Sequence, residues 1–174
     1  KINVVLMNGI NDDEIGDFVE LTRNNPINVR FIEFMPFNDN KWNHNKFIAY
    51  RTALEQICAD PRFQDGSGNP LIHSLTNDFH DTAKSYQVQG FAGKFGFISS
   101  MTENFCTGCN RIRVTADGDF KVCLFGDEED SISLRNILRS TNAGNENSTL
   151  RESINAALKK KHRVLGGNKN MFDI

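Results

Sequence analysis

The amino-acid sequence predicts an α/β fold that continues into an α+β region, and three observations support this prediction. A strand–helix–strand pattern fills residues 2–34, two further strand-like segments follow at 85–100, and a β-hairpin with two amphipathic helices occupies 110–163. A strand–helix–strand unit of this length implies parallel strands with the helix packed outside. These patterns leave open whether the sheet belongs to a barrel or is an open sheet.

The first unit contains two β-branched runs around a helical segment. INVVLM at 2–7 ends at the turn-like NGINDD, and NVRFIEF at 28–34 forms the second run. Between them DDEIGDFVELTRNN at 12–25 predicts a helix, because Ile15 and Val19 recur at helical spacing. Acidic residues ahead of Ile15 favour a helix N-terminus because they interact well with the helix macrodipole.

The remaining elements are predicted from periodicity and turn residues. FIAYRTALEQICAD at 47–60 predicts a helix, and SYQVQG and GKFGFISS predict two strands of a meander. NRIRVTADGDFKVCLF at 110–125 predicts a hairpin that turns at Asp117-Gly118. SLRNILRS and TLRESINAALKKKHR predict two helices, and we assign the KKKHR run to a helix end, where positive charge is favourable.

Composition indicates a soluble globular protein. The 174 residues are 39% hydrophobic and 24% charged, with a net charge of -2, which argues against a dedicated nucleic-acid-binding protein. No apolar run approaches the roughly 20 residues that a membrane-spanning helix needs. The sequence opens in a strand-like segment and not in a signal-peptide pattern, so we expect it to be the C-terminal part of a longer protein.

Three of the four cysteines lie close together in sequence. Cys106 and Cys109 form a C-x2-C knuckle, and Cys123 follows 14 positions after Cys109 on the returning strand of the hairpin. Cys58 stands alone at a helical position, where we expect a small core residue. The other three thiols could hold zinc with a distant fourth ligand, hold an iron–sulfur cluster, or remain without metal.

The choice between metals depends on the fourth ligand. Zinc would need Cys58 or a histidine, and none of these has knuckle spacing; the histidines are His44, His73, His80 and His162. An iron–sulfur cluster on three cysteines leaves one iron open to a substrate. Arg111 and Arg113 would share one strand face beside it and suit a phosphate or carboxylate, unless they only solvate that face.

A different class of function also fits these patterns. A zinc-knuckle module that binds protein or single-stranded RNA would place aromatic residues beside basic ones on a sheet face. Four phenylalanines could serve, although they fit a core equally well; they are Phe91, Phe95, Phe97 and Phe105.

CTGCNRIRVTADGDFKVCLFG at 106–126 resembles the C-terminal cluster motif of the radical S-adenosylmethionine enzymes of molybdenum-cofactor synthesis, the GTP 3′,8-cyclases. KINVVLMNGIND at 1–12 and VRFIEFMPFNDNKWN at 29–43 agree with the same family, in the same order. The resemblance implies an incomplete TIM-type barrel whose last strand–helix–strand unit is residues 1–36. Residues 37–174 would then form an α+β region that binds a cluster and GTP.

The resemblance also implies a reaction. In these enzymes a first 4Fe–4S cluster, on an N-terminal C-x3-C-x2-C motif, cleaves S-adenosylmethionine to a 5′-deoxyadenosyl radical. A second 4Fe–4S cluster binds GTP through its open iron. The radical abstracts the ribose 3′ hydrogen, and the ribose carbon joins C8 of guanine to give (8S)-3′,8-cyclo-7,8-dihydroguanosine 5′-triphosphate.

Residue by residue, the resemblance assigns the second cluster to Cys106, Cys109 and Cys123. It assigns the GTP site to Lys1, Arg111, Arg113 and the backbone of Ile112. It also implies that Met35 packs on S-adenosylmethionine. Met35 follows the predicted strand at 28–34, and this location fits a barrel, since ligands gather at the carboxyl ends of barrel strands. No catalytic residue is assigned, and Glu33, which could face the barrel interior, receives no role.

Two departures from the family lead us to expect a truncated chain that is inactive alone. It has no C-x3-C-x2-C motif, and it stops at MFDI before the family's terminal glycine pair, for which Gly166-Gly167 comes too early. The expected partners are GTP, the missing N-terminal half of the barrel, cyclic pyranopterin synthase as the next enzyme, and a second copy in a homodimer. We expect no membrane or nucleic-acid partner. MPFNDNKWN is most similar to eukaryotic members, which implies the mitochondrial matrix; a non-eukaryotic source would imply the cytoplasm.

Overall fold

A computed structural model describes residues 1–37, 40–126, 131–140, 146–163, 167 and 171. The chain divides into two compact units, Lys1–Gly108 and Cys109–Ile174. Both contain β-sheet and helix, which confirms the mixed α/β class; the predicted boundary between residues 36 and 37 stays a prediction. Within the described ranges, every helix is too short or too polar to cross a membrane. Gly166 and the last three residues of MFDI lie outside the described residues.

The first unit begins with the predicted strand–helix–strand arrangement. Strand β1 (Ile2–Leu6) leads through helix α1 (Ile15–Glu20) to strand β2 (Asn28–Glu33). β1 and β2 are parallel, and their register places Ile2 opposite Val29. The helix is shorter than predicted because its acidic start, Asp12–Glu14, is a 3-10 turn.

The rest of this sheet contains the two predicted meander strands and one short strand, β3 (Ile72–Ser74), that was not predicted. Helix α2 (Tyr50–Ala59) is followed by β3 and then by strands β4 (Lys84–Val88) and β5 (Lys94–Ile98). β5 pairs parallel with β2 and antiparallel with β4. The five strands therefore lie in the order β1-β2-β5-β4-β3.

One face of the parallel strands is buried under the two helices. Alternate strand residues join helix residues in a common core; its members include Val4, Leu6, Ile15, Val19, Val29, Phe31, Ala53, Ile57, Phe95 and Phe97. The opposite face is open, since Val5 is 42% exposed. On that open face Arg30 Nε donates a hydrogen bond to Asn3 Oδ1 at 2.9 Å.

The second unit contains the predicted hairpin and both predicted helices. Its sheet has the order β6-β7-β8, and its elements are β6 (Arg113–Val114), β7 (Asp119–Lys121), β8 (Ile132–Ser133), α3 (Leu134–Ser140) and α4 (Glu146–Lys160). Gly118 turns the hairpin with φ +86°, a conformation that side chains rarely adopt. Phe120 and Val122 pack with Ala157 of α4 in a small core.

Candidate functional site

The knuckle begins in a short 3-10 turn, Cys106–Gly108, at the end of the first unit. The Nδ1–H of His80 donates to Gly108 O at 2.7 Å, which ties this turn to the segment before β4. A Cβ built on Gly108 would lie 2.3 Å from Phe79 O, closer than real Cβ atoms come to a carbonyl. Glycine is therefore required where the knuckle passes Phe79.

A polar network holds the loop that leads into this turn. The ammonium of Lys84 donates to Ser99 Oγ and to Glu103 O, and Ser99 Oγ–H donates to Glu103 O at 2.8 Å. The Glu103 carboxylate accepts hydrogen bonds from the Arg51 guanidinium and from Tyr50 Oη. The Arg51 hydrogen bond is the main reason why the pKa of Glu103 lies below its ordinary value.

Glu33 is the buried carboxylate of this network, only 3% exposed. One oxygen accepts from the backbone N–H of Tyr50 (2.9 Å) and from Thr102 Oγ1–H (2.6 Å). The other accepts from the backbone N–H groups of Met101 (2.7 Å) and Thr102 (2.9 Å). Glu33 is one of the buried positions of β2, with Val29 and Phe31, and lies on the face covered by α2. The suggestion that it faces a barrel interior is therefore wrong. No pattern in the sequence indicates these hydrogen-bond partners.

The second unit begins at Cys109, which is half-buried. Arg111 lies in the loop before β6, and Arg113 is the first residue of β6, three positions later than the predicted start at residue 110. Strand alternation therefore does not by itself put the two guanidiniums on one face. Ile112 between them is 52% exposed. Cys123 is half-buried and follows β7 by two residues.

Lys161, one residue beyond α4, contacts this loop and was not identified from the sequence. Its ammonium donates to Cys109 O at 3.1 Å and to Arg111 O at 2.9 Å, and lies 3.9 Å from Cys109 Sγ. Burial raises the pKa of the Cys109 thiol. The Arg111 backbone N–H, the Lys161 charge and the Arg111 guanidinium outweigh burial, so the pKa lies below its ordinary value. This environment favours the thiolate, which is the form that binds metals.

The donor chemistry of the three cysteines fits a metal cluster, because none is in a disulfide and the lowered pKa of Cys109 favours its thiolate form. Among the described residues, no three His, Cys, Asp or Glu side chains already form a group that could hold a metal ion. The ligand set of Cys106, Cys109 and Cys123 therefore stays a prediction. Cys58, predicted to be a core residue, is half-buried on α2, and burial raises the pKa of its thiol.

Lys1 lines a cavity of about 380 Å³ in the first unit. Arg30 and Lys94 add two more positive charges to its wall, against one carboxylate from Asp81. The cavity lies where the parallel strands begin, and its excess positive charge suits an anionic ligand.

Met35 lies at the other end of these strands, two residues beyond the carboxyl end of β2, and is half-buried. Its backbone oxygen accepts a hydrogen bond from Asn40 Nδ2 at 2.7 Å. The register places Lys1 level with the start of β2. At about 3.3 Å per residue the two predicted contacts are therefore roughly 20 Å apart, at opposite ends of the strands.

Comparisons with known proteins identify the family. The model of the family described as Molybdenum Cofactor Synthesis C matches residues 27–165. The whole chain is 49% identical to "GTP 3',8-cyclase, mitochondrial" of Arabidopsis thaliana, of which it spans 40%. It is also 44% identical over its whole length to "Molybdenum cofactor biosynthesis protein 1" of Homo sapiens, of which it spans 25%.

A bacterial relative agrees with these matches. The "GTP 3',8-cyclase" of Peptoclostridium acidaminophilum is 40% identical over 74% of the chain, which spans 37% of that protein. The comparisons confirm the resemblance stated from the motifs and give no support to a zinc-knuckle module that binds protein or RNA. The chain belongs to the Molybdenum Cofactor Synthesis C family.

Proposed function

We propose that this chain is the C-terminal part of a GTP 3′,8-cyclase, a radical S-adenosylmethionine lyase that carries out the first step of molybdenum-cofactor biosynthesis. The observation that carries the proposal is the motif C-x2-C-x13-C, with Arg111 and Arg113 beside the knuckle, in a chain of this family. The parent enzyme converts GTP to (8S)-3′,8-cyclo-7,8-dihydroguanosine 5′-triphosphate.

In this proposal Cys106, Cys109 and Cys123 hold the second 4Fe–4S cluster. When bound, a cluster with three protein thiolates supplies one open iron that can coordinate the purine base. The lowered pKa of Cys109 supports this role, because it favours the thiolate, the form that binds metal.

The chain's own residues bind the anionic part of GTP. Arg111 and Arg113 supply guanidiniums to phosphate oxygens, and the exposed backbone around Ile112 faces the nucleotide. Lys1 contributes from the cavity of the first unit, where Arg30 and Lys94 add to the positive charge. A triphosphate is the kind of ligand for which several fixed cations are useful.

The rest of the barrel is expected to come from the preceding part of the parent protein. β1 is an edge strand of the described sheet, and the face that carries Asn3, Val5 and Arg30 is open. In our proposal residues 1–36 complete an incomplete TIM-type barrel whose other strands pair beside β1. That part also supplies the first 4Fe–4S cluster, while Met35 packs on S-adenosylmethionine.

The cellular setting follows from the same proposal. The Arabidopsis relative is named mitochondrial, which supports the mitochondrial matrix if this protein is eukaryotic. Cyclic pyranopterin synthase would consume the product, and a homodimer remains an expectation from the family.

Iron content tests the cluster. The full-length parent protein, reconstituted without oxygen, should hold about eight irons in two 4Fe–4S clusters. Alanine at Cys106, Cys109 or Cys123 should remove about four of them, whereas Cys58→Ala should remove none. One tightly held zinc at this motif, with iron unchanged in all three variants, would refute the proposal.

Cleavage of S-adenosylmethionine tests whether the preceding part of the parent enzyme, and not this chain, generates the radical. With a reductant, the parent enzyme should form 5′-deoxyadenosine, and the 174-residue chain alone should not. Formation of 5′-deoxyadenosine by the isolated chain would show that it carries its own radical-generating site.

GTP affinity tests the arginines. Each guanidinium bond to an oxyanion contributes roughly 1.5–3 kcal/mol, so Arg111→Ala or Arg113→Ala in the full-length enzyme should weaken GTP binding about ten- to a hundredfold. Arg113→Lys should be a partial rescue, because lysine keeps the charge and loses the planar fork. The exposed Arg139 on α3 is the matched control. Unchanged GTP affinity in both alanine variants, with the cluster retained, would mean that these arginines only interact with solvent and do not bind GTP.

A further inference from the structure

Lys161 occupies an unusual position for a lysine at a helix end. Its ammonium does not extend into solvent but reaches two backbone oxygens of one short loop, those of Cys109 and Arg111. The preceding lysines, Lys159 and Lys160, are exposed. The sequence explanation for the basic run, favourable charge at a helix terminus, accounts for these two and not for Lys161.

The two carbonyl groups are separated by one residue, so the backbone between them must curve around the ammonium. Residues 109–112 belong to no helix or strand. An ammonium has three N–H donors, and charge-assisted hydrogen bonds are stronger than neutral ones. Two donors are directed at the carbonyls, while Cys109 Sγ lies 3.9 Å from the same nitrogen. One side chain thus fixes both the backbone and the surroundings of the thiol.

We propose that Lys161 is a positioning residue that clamps the Cys109–Arg111 loop, so that Cys109 is held ready to ligate the cluster and Arg111 to bind the anion. This rests on the proposed function for what the loop binds. The clamp itself rests on the three contacts alone. It predicts that α4, a helix outside the cysteine motif, is required for the site to form.

The test uses the full-length protein with the first cluster motif changed to alanines, so that only the second cluster remains. Lys161→Met removes the charge and all donors at similar length, and Lys160→Met is the matched control. After reconstitution, loss of cluster absorbance in a chelator should be at least about tenfold faster in Lys161→Met than in wild type, since two charge-assisted bonds are lost. Lys160→Met should match wild type.

A second measurement does not depend on the cluster. In metal-free protein, hydrogen exchange of the peptide that spans residues 107–114 should be at least about tenfold faster in Lys161→Met, with peptides from β4 and β5 unchanged. Lys161→Gln, which keeps N–H donors and loses the charge, should lie between wild type and Lys161→Met. If Lys161→Met fails to fold, the exchange rate of Lys161→Gln tests the clamp in its place.

The outcomes separate the two hypotheses. If wild type binds no second cluster, the proposed function fails, and the exchange measurement alone judges the clamp. If wild type binds the cluster and Lys161→Gln and Lys161→Met behave like Lys160→Met in both measurements, the clamp is overturned while the proposed function stands. Faster cluster loss and faster exchange confined to 107–114 support both.

Discussion

Replacement of Glu33 should loosen the loop that leads into the knuckle. The carboxylate accepts four hydrogen bonds, from Tyr50 at the start of α2 and from Met101 and Thr102 in the loop. Cys106 follows Thr102 by only four residues. The carboxylate therefore joins the end of β2 to both segments.

The expected magnitude follows from the donors that lose their acceptor. In Glu33→Ala the backbone N–H groups of Tyr50 and Met101 lose their acceptor in a buried site, and each such group costs about 1–3 kcal/mol. Water entering the space offsets part of this, so we expect a loss of about 3 kcal/mol. Glu33→Gln keeps one acceptor oxygen and should cost about half as much.

Hydrogen exchange in the full-length protein measures this loss locally. A change of about 3 kcal/mol in the opening free energy corresponds to roughly a hundredfold faster exchange. We expect this in the peptide that spans residues 99–105 and at the start of α2. Glu55→Gln is the control, because Glu55 is exposed on the same helix.

Exchange at residues 99–105 in Glu33→Ala decides whether the carboxylate holds the loop. If Glu33→Ala exchanges at 99–105 as slowly as Glu55→Gln while the protein remains folded, the carboxylate does not hold the loop. Faster exchange throughout the first unit would instead show that Glu33 supports the whole sheet and has no particular role at the knuckle.

Two further substitutions test particular contacts. Gly108→Ala puts a methyl group against Phe79 O and should lower the iron content of the second cluster, whereas Gly66→Ala, which meets nothing within 4 Å, should not; equal iron in both would contradict the close approach. The Arg62 hydrogen bonds hold the pKa of Asp60 below its ordinary value. This stability is fully present above the unfolded pKa of about 3.9 and is lost as pH falls through the lower folded pKa. The difference in urea midpoint between wild type and Asp60→Asn should therefore shrink below about pH 4. A difference that is constant with pH would show that the ionised Asp60 carboxylate does not stabilise the fold.

Local patterns predicted most of the fold because its elements obey local rules. The alternation of Val4, Leu6, Val29 and Phe31 predicted strands, and the Asp117-Gly118 turn predicted the hairpin. Element ends were less accurate. α1 and β6 start later than predicted, because the acidic start of α1 adopts a 3-10 turn and only two residues of β6 pair with β7.

The sequence also identified the candidate ligands but not the residues that hold them. Cysteine spacing and alternating arginines are visible within 20 residues. His80 and Lys161 act on this motif from 28 and 52 positions away, and Glu33 acts on the loop before it from 68 positions away, all through hydrogen bonds to backbone groups. Every residue has backbone groups that can form such hydrogen bonds, so the side chains of the motif do not indicate which distant residue will bind there. Only the tertiary structure reveals these contacts.

The loops around the cysteines are held by hydrogen bonds between charged side chains and backbone groups, which affects how the site should respond to substitution. Loops that leave helices and strands carry many backbone donors and acceptors, and a loop that must present thiolates has little apolar surface with which to be held. Here charged side chains supply that restraint, Glu33 as an acceptor and Lys161 as a donor. Their substitution by apolar residues of similar size should therefore harm the site more than the loss of volume alone predicts. Core substitutions such as Ile57→Val should lower the stability of the first unit and leave the properties of a bound cluster unchanged, because Ile57 packs in the apolar core under the sheet.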